Sequence, residues 1–289
     1  SGDRLTPQSI HVCPCADFPF LIDALKTYID SLAVENIHGI CLAVAGPVDT
    51  DPIDLPNNHW TFSPRELEEE LGLPVKVIND FSDQVLSIAA LQDEELSWLG
   101  SARPKGEGVI AVVGPGTGLG VSALMPSGEI LPSEAGHVGF APTDEHQSEL
   151  LEVLRGRYRR LSVERVLSGP GLANLYWANC NLQGQCRELP AAEVTAGAHA
   201  GDPLCLKAVK DFLAILAAFA GDVALMTGAN NGVYLSGGIL PRLLDFLEEK
   251  AFLEQFRAKG RFHDYNADIP LAIVLADQPG LRGCAAALS

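Results

Sequence analysis

In the first third of the chain, segments with apolar residues at helical spacing alternate with apolar runs typical of strands. Residues 17–36 repeat apolar side chains at helical spacing, and the apolar run 37–48 predicts a buried strand that ends in a Gly-Pro turn. Residues 63–72 begin with Ser-Pro and end with Gly, the pattern of a capped helix. A strand over 74–80 and a helix over 82–92 follow. This alternation predicts an α/β fold with a largely parallel sheet, whose ligands bind beyond the carboxyl ends of the strands.

The pattern changes near residue 108, where two strand-like runs flank a series of glycines. Residues 108–114 and 121–125 are apolar, and the sequence GPGTGLG lies between them. Glycine weakens a strand interior, so the run predicts a hairpin with a bare backbone at its tip. The loop contains no Lys and is followed by a strand, which excludes a Walker A loop and a dinucleotide-binding fingerprint. Two interpretations stay open: a tight structural hairpin, or a concavity of amides that binds an anion.

Helical patterns dominate residues 147–228. The apolar run 212–226 is short for a membrane span and contains Asp222, so it predicts a buried central helix. The remaining predicted elements are a strand over 232–239 leading into a glycine turn, a helix starting near Pro241, a strand over 270–277 and a helix over 279–288.

Composition narrows the classes of partner. The formal net charge is -17, and the one basic cluster, RGRYRR at 155–160, is interpreted as a solvated face, so a nucleic-acid partner is not expected. The seven cysteines are scattered, odd in number and without paired CxxC motifs. This distribution argues against a zinc site and a disulfide framework, and it indicates reduced thiols in the cytoplasm. No membrane partner is expected either.

Several polar residues lie where chemistry could occur. Asn79 and Asp80 end a predicted strand, Glu134 and His137 are three apart in a glycine-containing turn, and Glu164 begins a helical pattern. Each also has an ordinary structural explanation: a helix cap, a satisfied histidine, or compensation of a helix dipole.

Six stretches, in this order and at suitable spacing, together resemble the bacterial glucokinase family of the hexokinase–actin–sugar kinase superfamily. The resemblance runs from about residue 37 to the end of the chain, whereas the first 18 residues only loosely resemble the family's second-strand exit. The stretches are VKVINDF, VVGPGTGLGVSAL, EAGHVGFAP, SVERVLSGPGLANLY, GVYLSGGILPRLLDF and KGRF.

The resemblance implies a two-lobed ribonuclease H-like fold of the actin/hexokinase type, with a mixed sheet in each lobe and an interdomain cleft. We expect a small α/β domain over 1–90 plus 281–289 and a large α/β domain over 91–280. The implied activity is ATP-dependent phosphorylation of glucose to glucose 6-phosphate, with ATP and Mg²⁺ as cofactors, in a cytoplasmic homodimer.

The same resemblance assigns roles to individual residues, with no metal-ligating side chain among them. Asp80 matches the catalytic base that takes the proton from the 6-hydroxyl of the sugar. The other matches are Asn79, Glu134, His137 and Glu164 as groups that, with Asp80, hold the sugar; Gly116, Thr117 and Gly118 as the second phosphate loop; and Gly237, Gly238 and Ile239 as the turn that lines the adenosine site.

The chain departs from the family at its beginning. The family opens with a first phosphate loop of the form D-x-G-G-T-x-x-R, and this motif does not occur in the sequence. Ser1 falls roughly where that hairpin would end, so we expect a truncated N-terminus with impaired activity. A smaller departure is Ser133 and Ala135 beside Glu134, where the family commonly has glycine. Two alternatives therefore stay open: a related kinase for mannose or an amino sugar, and a sugar-binding regulator that has lost catalysis.

Overall fold

The computed structural model describes residues 7–32, 37–55 and 58–288. The chain divides into two compact units. Unit 1 comprises Ser1–Gln92 and Ala276–Ser289, and unit 2 comprises Asp93–Leu275. The functional domains expected over 1–90 with 281–289 and over 91–280 stay predictions.

Unit 1 contains two separate pairs of strands. The strands β1 (Ile40–Val44) and β4 (Val75–Asn79) are parallel, while β2 (Ile53–Asp54) and β3 (Thr61–Phe62) are antiparallel. In the described part of unit 1 the two pairs do not join into one mixed sheet, because the two-residue strands β2 and β3 pair with each other alone. The helices of this unit are α1 (Leu21–Ser31), α2 (Pro64–Leu71), α3 (Ser82–Ser87) and α10 (Pro279–Leu288).

Helix α2 has the caps that its sequence predicts. The Ser63 hydroxyl accepts a hydrogen bond from the Glu66 amide at 3.4 Å, and Gly72 ends the helix at a φ of 66°. The buried Leu67 packs with Ile53 and Phe62 in the core of unit 1. The capped-helix prediction is therefore confirmed, and this apolar contact holds α2 beside the strands.

Unit 2 is built on a six-stranded mixed sheet. Its strand order is β5-β10-β9-β6-β7-β8, in which β9 is parallel to β6 and β10 and the other pairs are antiparallel. The strands are β5 (Leu96–Leu99), β6 (Ile110–Pro115), β7 (Leu119–Leu124), β8 (Ile130–Ser133), β9 (Gly232–Leu235) and β10 (Leu271–Val274).

Helix α7 (Pro203–Thr227) is the buried helix that the apolar run predicts. Asp202 caps its start by accepting from the Leu204 and Cys205 amides, and Gly228 ends it at a φ of 64°. No helix in the described ranges is both long and apolar enough to cross a membrane. The other helices of unit 2 are α4 (Glu145–Arg155), α5 (Gly169–Leu182), α6 (Ala191–His199), α8 (Glu249–Arg257) and α9 (His263–Ala267).

The prediction of a helix starting near Pro241 is wrong. The chain instead forms two short 3-10 turns, Leu240–Arg242 and Leu244–Phe246, before α8 begins at Glu249. Leu240 and Leu243 both enter the core, where they are at most 1% exposed, so the two turns anchor this segment on unit 2.

A polar cluster connects three helices of unit 2. Asp211 on α7 has a side chain only 8% exposed. It accepts from Asn179 Nδ2 on α5 at 2.8 Å and from Lys207 Nζ at 2.5 Å, and its Oδ2 lies 3.0 Å from His146 Nε2 on α4. The cluster is thus a polar link between α4, α5 and α7.

We expect Asp211→Ala to lower the free energy of unfolding by about 3 kcal/mol, because it strips a buried charge cluster of its acceptor. Lys207 and His146 are partly exposed, so water relieves part of the cost. Denaturant titration measures the change. The control is Glu248→Ala, which breaks the exposed Lys210–Glu248 pair and should change stability by less than about 0.5 kcal/mol. Equal effects of the two substitutions would contradict a stabilising role of the buried Asp211 cluster.

Candidate functional site

The glycine-rich stretch forms the predicted hairpin. Strands β6 and β7 pair antiparallel up to Pro115 opposite Leu119, so residues 116–118 make the tip. The Gly116 amide donates to the Gly118 carbonyl at 2.8 Å. A Cβ built on Gly116 would meet no heavy atom of the described chain within 4 Å. The backbone of the tip therefore borders open space on this side.

The tip is anchored to the start of helix α5. The Gly169 amide, in the first turn of α5, donates to the Gly116 carbonyl at 2.8 Å. Ser168 caps the helix by accepting from the Gly171 amide at 3.0 Å, and its hydroxyl donates to the Glu164 carbonyl at 2.7 Å. The positive end of a helix dipole therefore lies next to the hairpin tip, where it favours an anion.

Glu164 connects the hairpin to a second group of polar side chains. Its Oε2 accepts from the Leu119 amide at 3.0 Å. A Cβ on Gly118 would lie 2.7 Å from the same oxygen, so glycine at 118 is what lets Glu164 approach the tip. The remaining carboxylate oxygen, Oε1, lies 4.0 Å from His137 Nδ1.

Glu134 completes this cluster. Its Oε2 lies 3.9 Å from His137 Nε2, and the side chains of Glu134 and His137 are 83% and 60% exposed. Three of the residues predicted to hold sugar hydroxyls, Glu134, His137 and Glu164, are thus neighbours in unit 2. Glu134 and His137 are exposed and lie 3.9 Å apart, so their polar atoms can bond a ligand.

Gly136 is a residue that sequence analysis did not single out. It is buried, and a Cβ there would lie 2.1 Å from the Leu119 carbonyl oxygen. The short turn Ala135–His137 therefore rests directly on β7. Because Gly136 has no side chain, the turn can pack on β7, and this packing determines the positions of Glu134 and His137.

The predicted adenosine-site turn lies against the strand residues just before the tip of the same hairpin. It follows β9, and the Ser236 amide donates to the Val113 carbonyl of β6 at 2.9 Å. Gly237 has a φ of 132°, and a Cβ there would lie 2.4 Å from the Pro115 carbonyl. Gly238 faces open space among the described atoms, while Ile239 packs partly buried on the core. Unit 2 therefore brings both glycine turns together.

In unit 1, Asn79 and Asp80 lie at the carboxyl end of β4, as predicted. The Asp80 amide donates to the Val44 carbonyl of β1 at 3.0 Å. Asn79 Oδ1 accepts from the Phe81 amide at 2.8 Å, and its Nδ2 donates to the Gly46 carbonyl at 3.4 Å. The Asn79 side chain thus shapes the turn around Asp80, and a ligand would use what remains of its amide group.

Asp83 on α3 was not predicted as special. It is buried at 6% exposure. Burial, opposed by hydrogen bonds from Gln84 and assisted by the charge of the nearby Asp80, raises the pKa of its carboxyl to about 7. Gly280 and Gly283 bring α10 against it, since a Cβ at 283 would lie 1.8 Å from the Asp83 carbonyl.

The raised pKa makes stability depend on pH. Unfolding lowers the pKa of Asp83 from about 7 towards 3.8, so between these values the folded state holds a proton that the unfolded state releases. The contribution of Asp83 to stability is therefore greatest at acidic pH and is lost as the pH rises through 7. We expect Asp83→Asn to raise the unfolding temperature at about pH 8 and to change it little at about pH 4. The control Asp17→Asn, at an exposed residue, should leave the unfolding temperature unchanged at both pH values. If the unfolding temperature of Asp83→Asn varied with pH just as that of the parent does, a raised pKa of Asp83 would be contradicted.

Metal coordination by side chains is not evident in the described ranges. They contain no group of three or more His, Cys, Asp or Glu residues placed to hold an ion.

Comparison with known proteins gives consistent matches. A family model described as Glucokinase matches residues 1–289. The glucokinase of Chromohalobacter salexigens is 46% identical over 97% of this chain and 90% of its own length.

Solved structures agree with this match. The chain superimposes on a glucokinase from an Antarctic psychrotroph with a TM-score of 0.89 and 34% identity, covering 96% of this chain and 88% of that one. A ROK family glucokinase from Streptomyces griseus, solved with glucose and AMPPNP, has a TM-score of 0.61 at 19% identity over 92% of this chain and 86% of its own. The latter likeness concerns the fold alone.

Proposed function

This chain belongs to the glucokinase family, and on that premise we propose that it transfers the γ-phosphoryl group of ATP to the 6-hydroxyl of glucose, with Asp80 as the base. One observation carries the proposal beyond family membership. Glu164 bonds the hairpin next to its tip and at the same time faces His137, so the proposed sugar-binding and phosphate-binding groups of unit 2 share one residue.

The polar cluster suits a sugar. Each hydroxyl of glucose is both a donor and an acceptor, and the carboxylates of Glu134 and Glu164 accept while the imidazole of His137 can donate or accept. A site that bonds hydroxyls discriminates against analogues that lack them, because its own polar groups would be left unpaired. We assign these three residues, with Asn79 and Asp80, to holding glucose.

Asp80 is assigned to proton transfer. A carboxylate is a weak base, but phosphoryl transfer proceeds through a loose transition state and depends mainly on positioning and charge neutralisation. Asp80 would orient the 6-hydroxyl for in-line attack and collect its proton. The turn that presents it is fixed by the backbone bond from the Asp80 amide to Val44 and by two hydrogen bonds of the Asn79 side chain, which favours accurate placement.

The hairpin tip is assigned to the phosphates. The Gly116 amide is used within the tip, but the amides of Thr117 and Gly118 and the Thr117 hydroxyl can donate to phosphate oxygens without a cationic side chain, and the start of α5 adds a positive dipole. The Gly237–Gly238 turn with Ile239, packed on Pro115, would border the adenosine. Mg²⁺, bound through the phosphates, would neutralise charge on the transferring group.

Two alternative functions would use the same side chains. A related kinase for mannose or an amino sugar needs only one altered hydroxyl contact, and a sugar-binding regulator would keep the cluster without turnover. Thr117 at the hairpin tip is exposed and a Cβ on Gly116 would meet no heavy atom of the described chain within 4 Å, which favours an enzyme over a regulator. We also propose a cytoplasmic homodimer; the reduced, unpaired cysteines are in keeping with that compartment.

A coupled assay of ADP release separates these functions. We expect Mg-ATP-dependent turnover with glucose, less with mannose and glucosamine, and little ADP without sugar. Calorimetry with glucose runs in parallel. Glucose binding without any ADP release would favour the regulator, and a clear preference for another hexose would favour the related kinase.

A further inference from the structure

Two of the seven free cysteines meet inside unit 1, and neither is assigned a role in the reaction. Cys41 lies on β1 and Cys284 on α10, and their thiols are hydrogen-bonded to each other. Both side chains are half-buried and line a cavity of about 670 Å³ within this unit. The pair is therefore shielded from bulk solvent, yet a small molecule can reach it.

The packing of α10 holds the two thiols in place. Glycines at 280 and 283 let α10 lie directly against the backbone of α3. At its other end, Lys76 Nζ on β4 donates to the Ala287 carbonyl at 2.6 Å. Because α10 is fixed at both ends, the backbone that carries Cys284 is held beside β1 and Cys41.

The two sulfur atoms differ in their readiness to lose a proton. The hydrogen bond from the Cys284 thiol lowers the pKa of Cys41, and Lys76, its register partner on β4, lowers it further against burial and the charge of Asp83. The pKa of Cys284 is raised by the same hydrogen bond and by burial. Cys41 is thus the better thiolate nucleophile, and Cys284 the partner that keeps its proton.

We propose that Cys41 and Cys284 form a peroxide-reactive thiol pair, which hydroperoxides convert to a disulfide within unit 1. The Cys41 thiolate attacks one peroxide oxygen; the S–O bond forms, the O–O bond breaks, and the released hydroxide takes a proton to become water. Cys284 then loses its proton and attacks the Cys41 sulfur, so the S–S bond forms and the S–O bond breaks with loss of a second water. In sum, two thiols and one hydrogen peroxide give one disulfide and two waters.

The disulfide would join the two chain segments of unit 1. Residues 41 and 284 belong to its first and last segments, and all of unit 2 lies between them in the sequence. A bond that closes so long a loop restricts the unfolded chain strongly, so oxidation should raise the thermal stability of unit 1 and a dithiol should reverse the gain.

Peptide mapping by mass spectrometry tests the pair in the whole protein after treatment with one equivalent of hydrogen peroxide. We expect the main product to be a cross-linked peptide pair containing residues 41 and 284, with loss of two hydrogen atoms and a higher unfolding temperature, both reversed by dithiothreitol. In Cys284→Ser, Cys41 should stop at the sulfenic acid and be trapped by dimedone. Cys186→Ser, which removes an exposed thiol of unit 2, should leave the cross-link unchanged.

Two results would overturn the proposal. One is a main disulfide between Cys41 and Cys15, which lines the same cavity. The other is an unmodified Cys41 under conditions that oxidise the exposed Cys13. Neither result bears on glucose phosphorylation, because the readout is the mass of the peptides rather than turnover.

Discussion

Replacing Asp80 with Asn should reduce kcat for glucose phosphorylation by about 10²–10⁴-fold, the usual contribution of a positioned base. Asparagine keeps the shape of the side chain but cannot take the proton of the 6-hydroxyl. Glucose should still bind, although more weakly, because the cluster around His137 is intact. Single-turnover kinetics and calorimetry measure the two effects separately.

The control for Asp80→Asn is Asp30→Asn, an exposed carboxylate on α1 of the same unit. It should retain the parent's kcat and KM. If Asp80→Asn turned over at the parent's rate, Asp80 would not be the base, whatever its effect on glucose binding.

Gly136→Ala should disrupt the sugar cluster without touching any predicted ligand-binding side chain. The added methyl would lie 2.1 Å from the Leu119 carbonyl, so the Ala135–His137 turn must move off β7 and carry Glu134 and His137 with it. We expect the KM for glucose to rise by about tenfold or more and stability to fall by about 1–3 kcal/mol, the usual range for overpacking. Steady-state kinetics and denaturant titration measure the two changes.

Gly139→Ala is the matched control in the same stretch. A Cβ there meets no heavy atom of the described chain within 4 Å, so stability and the KM for glucose should stay close to the parent values. Similar losses in both variants would mean that flexibility of the segment, rather than contact with Leu119, explains the requirement for glycine.

Features that depend on local sequence were predicted well. The caps of α2 are set by Ser63, Pro64 and Gly72, and the hairpin tip by its glycines, so both can be read from a few neighbouring residues. Helix α7 is apolar on nearly every face, which predicts burial whatever its partners are.

Features that depend on distant contacts were not predicted. The 3-10 turns around Pro241 bury Leu240 and Leu243 against distant parts of unit 2, and the local pattern does not contain those contacts. Likewise, the raised pKa of Asp83 arises where α10 closes over α3, nearly two hundred residues later in the chain. The pairing of Cys41 with Cys284 has the same origin.

The candidate site also has features that the sequence predicted and features that it did not. Motif order pointed to Glu134, His137 and Glu164, but their grouping around the hairpin follows from the bond between Glu164 and the Leu119 amide. Gly136 carries no chemical group that a motif search would weigh. Its importance is visible only once β7 is known to lie beneath it.

A crystal structure of the protein with glucose and a non-hydrolysable ATP analogue tests the central assignment most directly. We predict that the 6-hydroxyl oxygen lies within hydrogen-bonding distance of an Asp80 carboxylate oxygen, about 2.6–3.2 Å. The other hydroxyls should contact Glu134, His137 and Glu164. The phosphates of the nucleotide should contact the 116–118 tip. A sugar bound well away from Asp80 would contradict this account of the reaction.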